Sequence, residues 1–229
     1  MSVDYNKISK KFSKSRIWMK WPEIDFFIKE IKKWDFSNKD ILDIWCGNGR
    51  LIDSLLENKI ITHSHQYTGI DISKWLMEEA QKLYPDFNFI ESDMLDVDTL
   101  DKKFDIIFMI ASFHHLDTNE KRLELLRKIS TILNEWWCMY MTNWDLYSGL
   151  NKEKYSKSRI VDSKNSYWNF DFNIKFWEYL RYYHWFDIIE LDSLFEKSHF
   201  KIYENTLFQN WKNIISIIGK NKWMIWKKY

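Results

Sequence analysis

The sequence predicts an α/β protein: a mostly parallel sheet of seven strands, helices on both faces, and an antiparallel hairpin at the C-terminus. Three observations carry this. Short apolar runs alternate with amphipathic helical stretches up to Thr142. The run Phe104 to Ile110 is almost unbroken, as in a strand buried on both faces. Phe200 to Gly219 then reads as two strands joined at Asn210-Trp211, with no helix between them.

The elements follow in order. Pro22 opens a helix to about Lys33 with Ile24, Phe27, Ile28 and Ile31 on one face, proline being suited to a first helical turn. Strand one is Asp40 to Ile44, and a helix runs from about Arg50 to Glu57. Strand two, Tyr67 to Ile70, ends at Asp71, and Ser73 caps a helix to about Leu83. Asn88 to Ile90 is a short third strand and Phe104 to Ile110 the fourth. A helix spans about Asn119 to Leu133, and strand five runs from about Cys138 to Thr142. Ser148 to Asn169 has no clear period and reads as an insertion. Asp187 and Glu190 have capping-box spacing at the start of a helix ending near Lys197. The organisation is one domain over 1–229, with an N-terminal helical cap (1–37) and an insertion (148–186).

Composition narrows the function classes. No apolar run approaches membrane-spanning length; the longest, Ile106 to Phe113, is about half of that. The Lys-rich start lacks the apolar core of a secretory signal. Cys46 and Cys138 form no CxxC pair, which points to a reducing, cytoplasmic setting with neither a disulfide framework nor a metal site. Net charge is only +1, yet Lys7, Lys10, Lys11, Lys14, Arg16 and Lys20 follow one another with no acid between them. That is either a solvated face or a phosphate-contacting surface.

Glycine and tryptophan counts are abnormal: 5 Gly and 14 Trp in 229 residues, where average usage of about 7% would give about 16 Gly. The tryptophans also stand at glycine-like places. Trp211 follows Asn210 where Asn-Gly would make a hairpin, and Trp136-Trp137 sits between a helix and strand five. Trp34 follows a helix, Trp75 falls in a first turn, and Trp45 opens the loop after strand one. One explanation covers them: a codon written here as Trp and read as Gly in the source organism, as in bacteria that reassign a stop codon to glycine. Genomic codons and native peptides at positions 45, 137 and 211 test it.

Read with Gly at 45, the loop Asp43-Ile44-Trp45-Cys46-Gly47-Asn48-Gly49 follows a strand and opens a helix. Glycines let the backbone approach a ligand closely, and a helix N-terminus offers free N–H groups. Asp71, at the end of strand two, is placed to accept two ribose hydroxyls, or simply to cap its helix. Asp93, after strand three, is placed to meet an adenine amino group.

This set resembles the class I S-adenosylmethionine-dependent methyltransferases, a Rossmann-like fold, over about residues 38–142 and 187–219. The G-x-G-x-G order differs from the G-x-G-x-x-G of a nicotinamide dinucleotide site. The resemblance implies S-adenosylmethionine as cofactor, held by Asp43, Trp45, Cys46, Gly47, Asn48, Gly49, Asp71, Ile72, Asp93, Met94, Ile110, Ala111 and Arg16. Trp45 is the departure, since an indole there collides with the cofactor.

Three further segments resemble the tRNA wobble-uridine carboxymethyl methyltransferases. Tyr5, Ile8, Phe12, Ser13, Arg16, Trp21 and Pro22 match the family's opening. Ala111, His114, His115, Leu116, Thr118 and Arg122 match A-x-x-H-H-L-x-T-x-x-x-R. Arg181, Tyr182, Tyr183, His184, Phe186, Glu190 and Leu191 match R-Y-Y-H-x-F-x-x-x-E-L. Trp21 and Trp144 fall on tryptophans of that family and are kept as such. The resemblance implies methyl transfer to the carboxylate of a carboxymethyl group on a tRNA wobble uridine, in some eukaryotic members with a small zinc-binding activator subunit. A carboxylate is already ionised at neutral pH, so placement and water exclusion suffice. Arg181 is the candidate to hold it, with Tyr182, His184, His114 and His115 as pocket candidates or packing residues. A small-molecule methyltransferase of the same fold and a non-catalytic binding protein are the alternatives.

Overall fold

The protein, seen in a computed structural model, is described over residues 21–34, 38–160, 170–176, 179–208 and 212–221. The basic N-terminal stretch with Arg16, and the Asn210-Trp211 joint, lie outside these residues. Helix α1 (Pro22–Ile31) is followed by β1 (Ile41–Ile44), α2 (Leu51–Glu57), β2 (Tyr67–Asp71), α3 (Lys74–Leu83), β3 (Asn88–Glu91) and β4 (Phe104–Ile110). Then come α4 (Asn119–Ile132), β5 (Leu133–Trp144), α5 (Gly149–Tyr155), β6 (Asp171–Phe176), β7 (Tyr179–His184), α6 (Ile188–Lys197), β8 (Lys201–Phe208) and β9 (Asn213–Gly219).

The seven-stranded sheet has the order β3-β2-β1-β4-β5-β9-β8. Strands β1 to β5 pair in parallel, and β9 runs antiparallel to both β5 and β8. β4 shows why its apolar run is unbroken. Ile107 and Met109 pack on the side of α4 and α6, while Ile106 and Phe108 pack on the side of α1 and α2. Both faces are therefore dry, at about 1.5–3 kcal/mol per fully buried large side chain. Phe27 of α1 meets Tyr140 of β5 edge-on at 5.3 Å between ring centroids. Among the described residues no helix is long and apolar enough to cross a membrane.

Three expectations are corrected. Trp136 and Trp137 do not form a turn: α4 passes directly into a 12-residue β5, and both lie inside the strand. Helix α5 opens the segment from Ser148 that reads as aperiodic, and β6 and β7, to which no element was assigned within the insertion, pair with each other as a separate antiparallel ribbon. The signal was present in Phe170-Asp171-Phe172-Asn173-Ile174-Lys175-Phe176, a strict period-two alternation. The capping box at α6 is half made. The Asp187 carboxylate accepts the Glu190 N–H at 2.7 Å, but the Glu190 side chain turns inward to His184.

Candidate active site

The sheet order reverses between β1 and β4, and the loops leaving the carboxyl ends of β1, β2 and β4 meet there. The loop after β1 is held by its own backbone and by Asp71. Cys46 N–H donates to Ile70 C=O at 3.0 Å, and Gly49 N–H to Cys46 C=O at 3.1 Å. Asp71 accepts from Gly47 N–H at 3.1 Å and from Ser73 N–H at 2.8 Å. Gly47 has φ +60°, and a Cβ there meets nothing within 4 Å, so its backbone faces open space. Trp45 has φ +62°, a left-handed conformation that costs a side-chain-bearing residue about 1–2 kcal/mol relative to glycine. Of the tryptophan positions suspected of being glycine, this one alone has a glycine's backbone among the described residues.

Both acids of the loop floor are buried, and burial dominates them. The Asp71 carboxyl is pushed up to about 6, against the lowering by the Ser73 and Gly47 N–H groups and the Arg181 charge. Asp43 is pushed up to about 7, although Tyr67 donates its hydroxyl at 2.9 Å and Arg50 is near. Cys46 is buried and its thiol pushed up, so it is a packing group rather than a nucleophile.

The opposite wall comes from the turn after β4 and from the β6–β7 ribbon. Ala111, at φ +53°, donates its N–H to Thr142. The His115 ring stacks on Trp45 with centroids 5.1 Å apart, and its Nδ1 lies 2.9 Å from Tyr182 C=O. His114 is fully buried, packs on Tyr183 at 5.2 Å and takes the Trp144 N–H at 3.4 Å. Arg181, 7% exposed, lies 5.6 Å over both the Trp45 and Tyr183 rings. Trp45, Asp71, His115 and Arg181 thus come together at the carboxyl ends of β1 and β2, the candidate cleft.

The remaining predicted residues have other settings. Asp93 caps the short 3-10 helix after β3 (Met94–Thr99) by accepting Leu95 N–H at 2.9 Å. Met94 is buried in the core, which leaves its backbone rather than its side chain to meet a ligand. Asn48 is buried in the loop, and Ile72 and Ile110 are half-buried at the ends of their strands. Tyr182 points to the face of β7 opposite Arg181. Its hydroxyl donates to Asp171 at 2.7 Å and takes Arg122 at 3.2 Å, and burial pushes its ionisation up, so it is no general base.

That second face of β7 carries a buried charge network. His184 Nδ1 lies 2.6 Å from Asp171 Oδ1, and its Nε2 lies 2.9 Å from Glu190 Oε2. Each ring nitrogen therefore has a carboxylate within hydrogen-bond distance. Arg122 closes the network at 3.8 Å from Glu190 and bonds Leu116 C=O at 2.9 Å. Burial alone raises the Asp171 carboxyl, but the hydrogen bonds from His184 and Tyr182 outweigh it and hold it below its ordinary range. The network ties the ribbon to α4 and α6 and so fixes Arg181 on its other face. Its matched residues Arg122, His184 and Glu190 fasten the site without entering it. Asp171, which completes it, was not foreseen, because its partner lies 13 residues away in sequence.

Known proteins place this arrangement. Residues 41–135 match the family described as "Methyltransferase domain". The tRNA (carboxymethyluridine(34)-5-O)-methyltransferase of Saccharomyces cerevisiae is 28% identical over 158 residues, 69% of this chain and 52% of the yeast protein. A mouse protein of that description is 30% identical over 129 residues, 56% of this chain and 17% of its own length. The chain therefore spans about half of the yeast relative and less of the mouse one. A methyltransferase structure from Clostridium acetobutylicum superposes with TM-score 0.68 at 14% identity, covering 94% of this chain and 98% of its own. One from Bacteroides fragilis, in complex with S-adenosyl-L-homocysteine, gives 0.63 at 19% identity, covering 89% of this chain and 78% of its own.

S-adenosylmethionine fits the backbone of the cleft: a left-handed glycine open to space, a helix N-terminus, and a buried carboxylate at the end of β2. One side chain, the Trp45 indole, stands across it between the loop and His115. Residues 41–135 are thus similar to a methyltransferase domain, in a chain with the fold of solved S-adenosylmethionine-dependent methyltransferases.

Proposed function

We propose that this chain methylates the carboxylate of a carboxymethyl group on a tRNA wobble uridine. The observation that carries the reading is Arg181: a nearly enclosed guanidinium at the cofactor cleft, facing the Asp71 side of the loop. A planar cation there is suited to gripping a carboxylate by two parallel hydrogen bonds. The sulfonium cofactor supplies an electrophilic methyl group. The chain's own part is to hold the acceptor oxygen in line, to orient the base against His115 and Tyr183, and to keep water out. Asp71 holds the loop, with lone pairs left for the ribose hydroxyls. The names of the yeast and mouse relatives support this substrate.

The test uses the Trp45→Gly chain with labelled S-adenosylmethionine and tRNA bearing carboxymethyluridine. Label that enters the tRNA and leaves in mild alkali is a methyl ester and supports the reading. Alkali-stable label, or none with a chain that binds the cofactor, overturns it. Arg181→Lys keeps the charge but loses the fork, and methyl transfer falls about 10–100-fold with cofactor affinity unchanged.

A second reading rests on the indole itself. If native peptides carry Trp at 45, the cleft is closed to the cofactor and the protein is a binding module.

A further inference from the structure

We propose that the segment between β5 and α6 presents a docking surface for a single-stranded RNA loop; this rests on the RNA reading above. The segment is not needed to close the main core: α5, β6 and β7 build a small cluster of their own around Leu146, Phe172, Ile174 and Tyr183. Its outer side departs from the near-neutral balance of the chain. Lys152, Lys154, Lys157 and Arg159 are all exposed within eight positions, with Glu153 the one acid among them.

These cations lie on aromatic rings. Lys152 Nζ is 4.2 Å from the Tyr147 ring centroid, and the Arg159 guanidinium is 3.4 Å from that of Phe170. Tyr147 is 37% exposed and meets Phe170 at 5.3 Å, so the two cation–ring pairs form one patch. An arginine flat on a phenyl ring offers its outer face as a stacking platform, and lysines around it neutralise phosphates. Splayed bases with a phosphate backbone, as in a stem-loop, match both features; a fully paired duplex offers no free base faces. The patch is also joined to the cleft. Tyr147 lies in the loop that follows Trp144 at the end of β5, Trp144 stacks on Tyr183 at 5.2 Å, and Tyr183 lies under Arg181. An RNA loop seated on the patch presents a flipped-out base toward Arg181.

The test measures binding of a fluorescent stem-loop RNA, with a uridine in its single-stranded loop, across a range of salt. The unsubstituted chain is compared with a variant in which Lys152, Lys154, Lys157 and Arg159 are all alanine. A control removes Lys82, Lys103, Lys197 and Lys201, exposed at the opposite end of the sheet. Each phosphate contact contributes about 0.7 to the slope of log affinity against log salt for single strands. The patch variant is expected to bind at least about 10-fold more weakly, with a slope shallower by up to about 3, while the control stays near the unsubstituted chain. Arg159→Lys keeps the charge and is expected to lose affinity without losing slope.

Equal affinity and slope in the patch variant, or equal losses in patch variant and control, overturn the surface while leaving the RNA reading standing. No binding of the stem-loop by the unsubstituted chain overturns the RNA reading and the surface together. Circular dichroism and hydrogen exchange of β6 and β7 check that each variant retains its fold; a patch variant that unfolds is replaced by the Lys152, Lys154 and Lys157 triple, judged by the same slope.

Discussion

The cofactor loop buries its carboxylates, the β6–β7 ribbon half-buries Asp171, and the two handle them in opposite ways. Under the loop, Asp43 and Asp71 meet mainly a hydroxyl and backbone N–H groups, so burial prevails and their carboxyls rise to about 7 and about 6. In the ribbon, Asp171 meets His184 and Tyr182 and is held below its ordinary range. Full pairing makes a fastening, because removing one partner strands a charge in the interior. Incomplete compensation leaves groups poised to take further hydrogen bonds from a ligand. The molecule thus keeps its unspent polar capacity where a ligand enters and neutralises charge where it needs rigidity.

The largest expected effect on ligand binding is that of Trp45→Gly. It clears the indole and relieves the left-handed strain at φ +62°. Calorimetry with S-adenosylmethionine is expected to show a gain of about 100-fold or more, of order 3 kcal/mol. A folded glycine chain that still fails to bind shows that the loop is no cofactor cradle.

Next is His184→Ala, which leaves Asp171, Glu190 and Arg122 facing a void. Breaking a buried ionic network by one partner costs about 3–5 kcal/mol. Urea unfolding is expected to show that loss, and hydrogen exchange to place its first signs in β6 and β7. A change below about 1 kcal/mol removes the fastening role.

Asp43→Asn addresses the loop side. The folded carboxyl titrates near 7 and the unfolded one near 3.8. The contribution of protonated Asp43 is therefore complete below pH 3.8 and lost as pH rises through about 7, a span worth a few kcal/mol. Denaturation from pH 4 to 8 is expected to show a smaller fall for the Asn chain than for the unsubstituted one. Identical profiles mean that Asp43 is not the titrating group.

The smallest effect separates cap from network at α6. Asp187→Ala removes one N-cap bond, about 1 kcal/mol, whereas Glu190→Ala removes a member of the buried network and is expected to cost severalfold more. Equal losses mean that Glu190 acts as an ordinary capping-box residue.

Much of the sheet was legible in advance because its signals are local. Strand β4 matched its apolar run residue for residue, and Ser73 caps α3 by accepting Leu76 N–H as its position suggested. Glycine-like backbone at the tryptophan positions was legible only in part. Position 45 has the backbone of a glycine, but 136 and 137 are ordinary strand residues, because α4 needs no turn before β5. At the site, Asp71 and Arg181 lie near each other, while Tyr182, read as lining a pocket or packing, bonds Asp171 and Arg122 on the other face of β7. Its place in a motif does not reveal strand parity, and one step along a strand reverses the side to which a residue points.

The sequence by itself determined the order of strands and helices from β1 to β5 and the loop after β1. Period and capping act over a few residues, and a chain displays them without its fold. Only the tertiary structure decided that His184 lies between Asp171 and Glu190, that Arg122 locks to Tyr182, and that Arg181 faces Trp45 across the cleft. These contacts join residues 6 to 136 positions apart, and nothing local records which of them burial brings together.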